Sequence, residues 1–165
     1  MTNKILIGVL LFSLSSCDIN QENKKELSII EVEKTSLNKY QEIDVKEYII
    51  KMEVKESFVC FFYSSSCVYC EKLISNIINP YIKETGNLIY GIDVYKEENY
   101  KDLGLIEKYQ EIENDYFFNE NGVISISRPV TQIIFEGEII TYQIGYSINV
   151  KYMLDECIKK GDVEN

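Results

Sequence analysis

The sequence of 165 residues predicts an α/β domain, and three consecutive segments support this prediction. The first, Phe58–Tyr63, is an almost uninterrupted apolar run of the length and composition typical of a strand buried on both faces. The second is a helix whose apolar positions follow the helical period, namely Cys70, Leu73, Ile74, Ile77 and Ile78. The third is another apolar strand at residues 88–95. A strand that returns to the sheet through a helix predicts a parallel βαβ unit.

Two cysteines, Cys67 and Cys70, lie in the first turn of that predicted helix. Three serines, residues 64–66, interrupt the strand before them and offer hydroxyls that can cap the helix N-terminus. The unpaired N–H groups and the positive end of the helix dipole favour a thiolate on Cys67. A C-x-x-C pair by itself does not identify redox chemistry, because such pairs also occur in zinc sites. The position of this pair between a buried strand and an amphipathic helix is the observation that indicates redox chemistry.

Composition excludes several classes of function. The chain has no histidine, which removes Cys-His and Ser-His nucleophiles and histidine metal sites. Cys60 and Cys157 have no partner at C-x-x-C spacing, so we expect no metal, and we expect no cofactor. A net charge of −10 at pH 7 argues against nucleic acid as a partner, because phosphate contacts need a basic surface. The length suits one domain, and 45% apolar residues can fill its core.

A second motif follows near the C-terminus. Arg128-Pro129-Val130 precedes an apolar strand at residues 131–135, a Glu136-Gly137 turn, a second strand at residues 138–144 and Gly145. With the C-x-x-C pair, this order resembles the thioredoxin-like family over residues 44–160. The resemblance implies a three-layer α/β/α sandwich with a mixed central sheet. It also implies a cis peptide bond before Pro129, in a loop that faces the cysteines; an ordinary trans turn proline is the alternative.

The resemblance also implies the roles of the site residues. Cys67 is the expected nucleophile and Cys70 the resolving thiol, with thiol–disulfide exchange as the activity and its redox direction open. A purely structural disulfide is the alternative. Tyr69, exposed between the cysteines, and the loop residues Arg128, Pro129 and Val130 are the predicted substrate-binding residues. A guanidinium near Cys67 favours its thiolate, although a solvated Arg128 side chain is the other possibility.

Two positions near the C-x-x-C pair depart from what the family usually has, and a neighbouring acid opposes a thiolate. Phe61 replaces the buried aspartate that serves proton transfer to the resolving thiol, and Ser66 replaces a tryptophan. Glu71 adjoins Cys70 and opposes a thiolate there. These departures keep a competing hypothesis open, in which the protein is a non-enzymatic lipoprotein that uses the fold as a docking surface.

The N-terminal segment, residues 1–16, is predicted to be a signal peptide outside the folded domain. Lys4 precedes an apolar stretch of residues 5–14 that is too short to span a bilayer as a helix. Leu14-Ser15-Ser16-Cys17 resembles the lipobox of bacterial lipoproteins, which implies a diacylglycerol on Cys17. An ordinary signal peptide or an uncleaved anchor is the alternative. Residues 17–38 are then a polar tether with a possible edge strand near residues 29–32, and residues 39–165 form the thioredoxin-like domain.

Together these expectations describe a lipid-anchored protein on the extracytoplasmic face of a bacterial cell membrane. Its expected partners are exported proteins or peptides with thiols or disulfides, a redox partner protein, and the membrane itself through the lipid. In its size, predicted export and C-x-x-C pair, the chain is also broadly similar to the bacteriocin accessory group. The thioredoxin-like members of that group are thought to help disulfide-bearing peptides mature.

The remaining pattern predicts four further elements. Asp44 is the expected N-cap of a helix with apolar residues on one face. The helix after Cys70 is expected to kink or end at Asn79-Pro80, and Gly86 to stop any continuation. A helix is predicted over residues 101–112, and a small hairpin over residues 115–127. Ser147 is the expected cap of a last helix, whose apolar face contains Cys157. The resemblance to the thioredoxin-like family implies that this helix packs on the face of the sheet opposite to that of Cys60, so a Cys60–Cys157 bridge is not expected.

Overall fold

The structure, a computed structural model, describes residues 39–106, 116–120 and 123–158, with residues 119, 120 and 123 described only in their backbone. The predicted signal peptide, Cys17 and the tether with its possible edge strand lie outside these ranges. So do residues 107–112 of a predicted helix. Across the described ranges, every helix is too short or too polar to cross a membrane.

The chain folds into five α-helices and seven strands over the described residues. The helices are α1 (Val45–Glu53), α2 (Val68–Leu73), α3 (Asn79–Thr85), α4 (Glu97–Ile106) and α5 (Asn149–Cys157), and a π-helical turn, Ile74–Ile78, joins α2 to α3. The strands are β1 (Gln41–Glu42), β2 (Phe58–Tyr63), β3 (Ile89–Asp93), β4 (Phe117–Glu120), β5 (Val123–Ile126), β6 (Val130–Phe135) and β7 (Glu138–Ile144).

The central sheet has the order β1-β3-β2-β6-β7 and is mixed, as predicted. β3 runs parallel to β1 and β2, whereas β6 is antiparallel to both β2 and β7. The parallel pairs follow from the helices that return the chain to the sheet, and the antiparallel pair β6–β7 follows from the two-residue turn Glu136-Gly137. β4 and β5 form the separate hairpin that the sequence predicts within residues 115–127.

Two apolar clusters, one on each face of the sheet, complete three layers. Tyr48 of α1 and Leu103 of α4 belong to the first cluster, whereas Leu73 of α2 and Leu154 of α5 belong to the second. β2 supplies both clusters, because successive side chains of a strand point to opposite faces. Its first-face residues are Phe58, Cys60 and Phe62, and its second-face residues are Val59, Phe61 and Tyr63.

The alternation along β2 separates the two cysteines outside the C-x-x-C pair. Cys60 lies in the first cluster and Cys157 of α5 in the second, and both are buried free thiols. The prediction that no bridge joins them is confirmed.

The helix ends agree in part with the predictions. Asp44 caps α1 through its Oδ1, which accepts from the Glu47 N–H at 2.7 Å, and Gly86 ends α3 at φ 71°. The helix after Cys70 does not end at Asn79-Pro80, because the π-helical turn carries it into α3. Pro80 then lies in the first turn of α3, where a missing N–H is tolerated.

Two elements differ from the sequence prediction. α4 begins at Glu97, four residues before the predicted start, and the Tyr100 N–H donates to the Lys96 carbonyl at 2.9 Å. Two glutamates in its first turn, Glu97 and Glu98, complement the positive end of the helix dipole. The edge of the sheet is the two-residue strand β1, which is too short to show a periodic pattern in the sequence.

Candidate active site

The turn after β2 places Cys67 at the N-terminus of α2. Cys67 itself is the N-cap, with extended backbone angles of φ −96° and ψ 112°, and its Sγ accepts from the Cys70 N–H at 3.2 Å. The expectation that a serine hydroxyl caps this helix is therefore wrong. The Ser64 hydroxyl instead accepts from the Ser66 N–H at 3.3 Å, within the turn, because the turn brings the Cys67 sulfur rather than a serine over the first N–H groups of the helix.

The two cysteines form a disulfide and differ in exposure. Their Cα atoms are 5.2 Å apart, which suits a disulfide. Cys67 is half-buried, whereas Cys70, one turn into the helix, is fully buried at 0% exposure. Only the Cys67 sulfur can be approached from solvent, so an attack between this disulfide and another protein has to begin there.

The loop before β6 lies against the cysteines. The Arg128–Pro129 peptide bond is cis, as the sequence predicts, and the Arg128 carbonyl oxygen lies 3.9 Å from Cys67 Sγ. The Gly145 N–H donates to the Pro129 carbonyl at 2.7 Å, which ties the loop to the end of β7. The structure thus brings together the two sequence motifs, which are 61 residues apart.

The Arg128 side chain stacks on Tyr95. Its Cζ lies 4.2 Å from the centroid of the Tyr95 ring, one terminal nitrogen donates to the Tyr95 hydroxyl, and the other donates to the Ile126 carbonyl at 3.4 Å. Arg128 therefore presents its backbone carbonyl to Cys67, while its guanidinium stacks on the loop after β3. The aromatic ring that holds this charge, Tyr95, was not among the predicted site residues.

The other two predicted substrate-binding residues differ in position. Tyr69 projects into solvent with 63% of its surface exposed, as expected, and the Lys72 ammonium lies 5.7 Å from its ring centroid. Val130 is fully buried, and its backbone pairs with Phe62 and Ile144. A substrate could meet Tyr69 through its side chain, but the Val130 side chain belongs to the core.

The surroundings of Cys70 are apolar. Phe61, Leu73 and Ile89 are buried in the same cluster as Cys70. Position 61, where the family usually has a buried aspartate, therefore holds an aromatic side chain that cannot accept a proton. Carboxylates occur instead in a neighbouring cleft of about 580 Å³, which lies at the carboxyl ends of the three parallel strands. This cleft was not predicted. One residue in the sequence could have indicated the cleft: Asp93 is an acidic residue at the carboxyl end of a parallel strand, where clefts of α/β sheets lie.

A phenol–carboxylate contact forms part of that cleft. Tyr63, the last residue of β2, donates from its hydroxyl to Glu42 Oε2 of β1 at 3.1 Å. Burial is the main cause that raises the pKa of the Tyr63 phenol well above its ordinary value, and the Tyr40 hydroxyl and the Asp93 charge add to it. Tyr63 therefore stays protonated at neutral pH and acts as a hydrogen-bond donor.

The remaining cysteines are unlike the active pair. Burial raises the pKa of the Cys60 thiol far above its ordinary value and that of the Cys157 thiol to about 11. Both stay protonated at neutral pH and are poor nucleophiles, because the thiolate is the reactive form. Within the described ranges, no group of three or more histidine, cysteine, aspartate or glutamate side chains is arranged so that it could hold a metal ion.

Solved structures similar to this one are thioredoxins of low sequence identity. Thioredoxin O1 from Arabidopsis thaliana, solved in its oxidized state, is 16% identical with a TM-score of 0.52, over 73% of this chain and 99% of that chain. Thioredoxin O2 from the same plant is 14% identical with a TM-score of 0.53, over 74% and 96%. The N21Q mutant thioredoxin from Halobacterium salinarum is 15% identical with a TM-score of 0.51, over 77% and 97%.

At the level of sequence alone, no protein-family model and no curated protein matches the chain. The structural likeness covers nearly the full length of each of these thioredoxins, 96–99%. The chain therefore has the thioredoxin fold, with a C-x-x-C disulfide at the N-terminus of the helix that follows its central strand.

Proposed function

We propose that this protein exchanges thiols and disulfides in exported proteins or peptides through Cys67 and Cys70. The observation that supports the proposal most directly is the half-exposed Cys67 sulfur at a helix N-terminus, 3.9 Å from the carbonyl before a cis-proline. Two sequence motifs that are distant in the chain converge there on one sulfur. A buried structural disulfide would need neither that exposure nor that loop.

The proposed reaction has two steps. In the reduced protein, the Cys67 thiolate attacks one sulfur of a substrate disulfide, forms a new S–S bond to it and releases the other sulfur as a thiolate. The Cys70 thiolate then attacks Cys67 Sγ, which forms the Cys67–Cys70 disulfide and releases the second substrate thiol. Two electrons pass from protein to substrate; run in reverse, the same steps donate a disulfide to a dithiol.

The geometry supports a division of labour between the two thiols. The Cys70 N–H already points at Cys67 Sγ at 3.2 Å, and this donor and the helix dipole both stabilise negative charge on that sulfur. Cys70 is fully buried among apolar side chains, so the sulfur it can attack is Cys67 Sγ of the mixed disulfide and not a disulfide in solution. Position 61 is Phe61, and among the described residues the cluster around Cys70 contains no carboxylate to accept its proton, so the second step is expected to be the slower one.

The direct test is turnover of a small disulfide. The soluble domain, with residues 1–38 removed from its N-terminus, is reduced, mixed with a coloured aryl disulfide, and followed by the release of aryl thiolate. Each reduced wild-type molecule should release two equivalents of aryl thiolate, and folded Cys67→Ser should release it far more slowly, because Cys60, Cys70 and Cys157 are buried. A reduced wild-type protein that reacts no faster than Cys67→Ser would refute the proposal.

A non-enzymatic docking protein is the competing function, and the apolar surroundings of Cys70 are the observation that favours it. Such a protein would bind its partner whether the pair is oxidised or reduced. The turnover experiment separates the two functions. If the protein binds its partner without either cysteine and does not react with the disulfide, the docking function is favoured.

The proposal also includes the location. Leu14-Ser15-Ser16-Cys17 supports a lipoprotein whose acylated Cys17 holds the domain at the extracytoplasmic face of a bacterial membrane, and an acidic chain with a net charge of −10 would need such acyl chains, because anionic lipid repels it. A role beside disulfide-bearing secreted peptides, as in the bacteriocin accessory group, would suit both the anchor and the C-x-x-C pair.

Intact-mass analysis of the membrane-extracted protein tests the anchor. The expected chain begins at a diacylated Cys17, and Cys17→Ser should remain unprocessed. An unmodified mature protein in the culture supernatant would contradict the lipoprotein assignment.

A further inference from the structure

Thr131 is a buried threonine just after the cis-proline loop, and its hydroxyl takes no part in the hydrogen bonds of the fold. The residue is the second of β6 and is 0% exposed. Among the residues that the structure describes, none bonds to its Oγ1. Burying a hydroxyl without a partner is costly, and most buried polar side chains have one, so this position needs a physical explanation.

The register of β6 places this hydroxyl on the face of the sheet that carries Cys70. Side chains alternate along a strand, so Thr131 shares its face with Ile133 of the second cluster rather than with Val130 of the first. Its antiparallel partner on β2 is Phe61, which belongs to the same cluster as Cys70. Opposite residues of such a pair have Cβ atoms about 4.5–5.5 Å apart, so the Thr131 side chain lies beside the aromatic residue that stands at the usual aspartate position.

The cis-proline loop also brings the start of β6 close to the disulfide. Arg128 precedes this strand, and its carbonyl oxygen lies 3.9 Å from Cys67 Sγ. The disulfide bond keeps Cys70 Sγ next to Cys67 Sγ, and Cys70 is the one of the two that is buried in the second cluster. The Thr131 hydroxyl and the resolving thiol therefore belong to the same buried region.

The neighbouring polar side chains on β7 are bonded elsewhere. Gln143 pairs with Thr131 in the sheet, but its Nε2 donates to the Ile144 carbonyl at 2.9 Å. Thr141, two residues before Gln143 and therefore on the same face, donates from its hydroxyl to Met153 Sδ at 3.9 Å. This second threonine shows that a sulfur atom of a facing helix can accept from a buried hydroxyl on this side of the sheet.

The redox state of the cysteines changes what Thr131 can bond to. In the disulfide, both sulfurs are neutral and the Cys70 side chain is held toward Cys67. Reduction breaks the S–S bond, frees the Cys70 side chain to rotate, and leaves a sulfur that becomes a thiolate when it attacks. A thiolate is a charged acceptor, and hydrogen bonds to charged groups are shorter and stronger than neutral ones.

We propose that the Thr131 hydroxyl donates a hydrogen bond to Cys70 Sγ in the reduced protein and in the mixed disulfide, and so assists the second step of the exchange. The inference rests on the proposed thiol–disulfide exchange and adds a residue to it. The Cys70 thiolate attacks Cys67 Sγ, the Cys67–Cys70 bond forms and the bond from Cys67 to the substrate sulfur breaks. The electron pair leaves on the substrate thiolate, which takes up the proton that Cys70 gave up. Thr131 keeps its own proton throughout, so it stabilises charge without acting as a base.

Two phases of aryl thiolate release test the assignment. Reduced protein is mixed with an excess of a coloured aryl disulfide. Attack by Cys67 releases the first equivalent at a rate that rises with disulfide concentration, and attack by Cys70 releases the second at a rate that does not. Thr131→Val removes the hydroxyl with little change in volume; it should slow the second phase by about tenfold and leave the first unchanged, since one hydrogen bond to a charged group is lost.

Two further variants control for packing. Thr131→Ser keeps the hydroxyl and should retain a second phase close to that of wild type. Thr141→Val is the matched control, because it removes a buried hydroxyl from the same face without touching Cys70, and both phases should remain as in wild type. A second phase that is as fast in Thr131→Val as in Thr141→Val, or as slow in Thr131→Ser as in Thr131→Val, overturns the inference.

Equilibration with glutathione tests the inference without an exported substrate. Loss of the donor withdraws stabilisation from the reduced form, and loss of a hydroxyl without a partner relieves the oxidised form, so both effects favour the disulfide. Thr131→Val should shift the equilibrium constant about tenfold toward the disulfide, which lowers the reduction potential by about 30 mV, and Thr141→Val should not. Such a shift supports the inference even if no exported disulfide is turned over. Equal potentials, with two-phase release intact in Thr131→Val, retain the proposed activity and refute the inference.

Urea unfolding of the oxidised protein checks the starting point. Because the Thr131 hydroxyl has no partner among the described residues, oxidised Thr131→Val should be at least as stable as oxidised wild type. A loss of stability in this variant would mean that the hydroxyl is already bonded in the disulfide form, and it would overturn the inference.

Discussion

Replacing Gln132 by leucine should destabilise the fold beneath the cis-proline loop. Gln132 of β6 is fully buried and connects two tyrosines: its Oε1 accepts from the Tyr48 hydroxyl at 2.9 Å, and its Nε2 donates to the Tyr116 hydroxyl at 2.7 Å. These bonds join α1 and the segment before β4 to the strand that begins directly after Pro129. Leucine is close to glutamine in size, so the change removes polar contacts with little change in volume.

The expected cost follows from the two bonds. A buried hydrogen bond contributes about 0.5–1.5 kcal/mol net, and a buried polar group left without a partner costs about 1–3 kcal/mol. Burial is the main cause that raises the pKa of Tyr48 well above its ordinary value, so its hydroxyl stays protonated and needs an acceptor. Gln132→Leu should therefore lower the free energy of unfolding by about 2–4 kcal/mol. Tyr48→Phe should cost about 1–3 kcal/mol, since Gln132 Oε1 loses its donor.

Urea unfolding at pH 7, with the Cys67–Cys70 pair oxidised throughout, measures these values. The double variant Tyr48→Phe/Gln132→Leu should cost less than the sum of the single variants, because neither partner is then left stranded. Gln143→Leu is the matched control: the side chain of this half-buried glutamine of β7 donates to the neighbouring Ile144 carbonyl, and its replacement should cost much less. Single-variant costs that add in the double variant would refute the coupling.

Three further predictions concern the thiols and one turn. Cys70→Ser should accumulate mixed disulfides through Cys67, and Cys67→Ser should trap none, as seen by non-reducing electrophoresis; equal trapping would overturn the assignment of the nucleophile. Burial raises the pKa of Cys157 to about 11, so iodoacetamide should spare it in the folded protein at pH 8 and label it in urea. Because the unfolded thiol loses its proton at lower pH than the folded one, stability should fall as pH rises above about 8.5, and less so in Cys157→Ala. Gly137→Ala should be destabilising by circular dichroism melting, because Gly137 has φ +77° and a Cβ there would lie 2.3 Å from the Met52 carbonyl oxygen; an unchanged melting temperature would contradict the turn geometry.

Much of the architecture could be predicted from local patterns in the sequence. The apolar run Phe58–Tyr63, the helical spacing after Cys70 and the two strands around Glu136-Gly137 each specify an element without reference to the rest of the chain. Alternation along β2 placed Cys60 on the same face as Phe58 and Phe62, because the side-chain period of a strand is two, and the family resemblance placed the helix of Cys157 on the other face. The strand, turn and C-x-x-C order likewise placed the two cysteines at a helix N-terminus.

Features that depend on contacts between distant segments were decided by the tertiary structure. β1 exists only because Gln41 and Glu42 pair with Tyr90 and Gly91 of β3, and two residues carry no period of their own. The sequence left the Arg128 side chain either near Cys67 or in solvent, and the structure shows that the Tyr95 ring, 33 residues away in the chain, holds its guanidinium.

The acidic cleft belongs to the same class of feature. Glu42, Glu71 and Asp93 are ordinary scattered acids in the sequence, and they share one cleft because three parallel strands end at the same edge of the sheet, beside the first turn of α2. The sequence by itself determined which residues could do redox chemistry and on which elements they lie. Only the packing of those elements determined which side chains surround the reactive sulfur, because such neighbours are set by strand order and helix placement rather than by spacing along the chain.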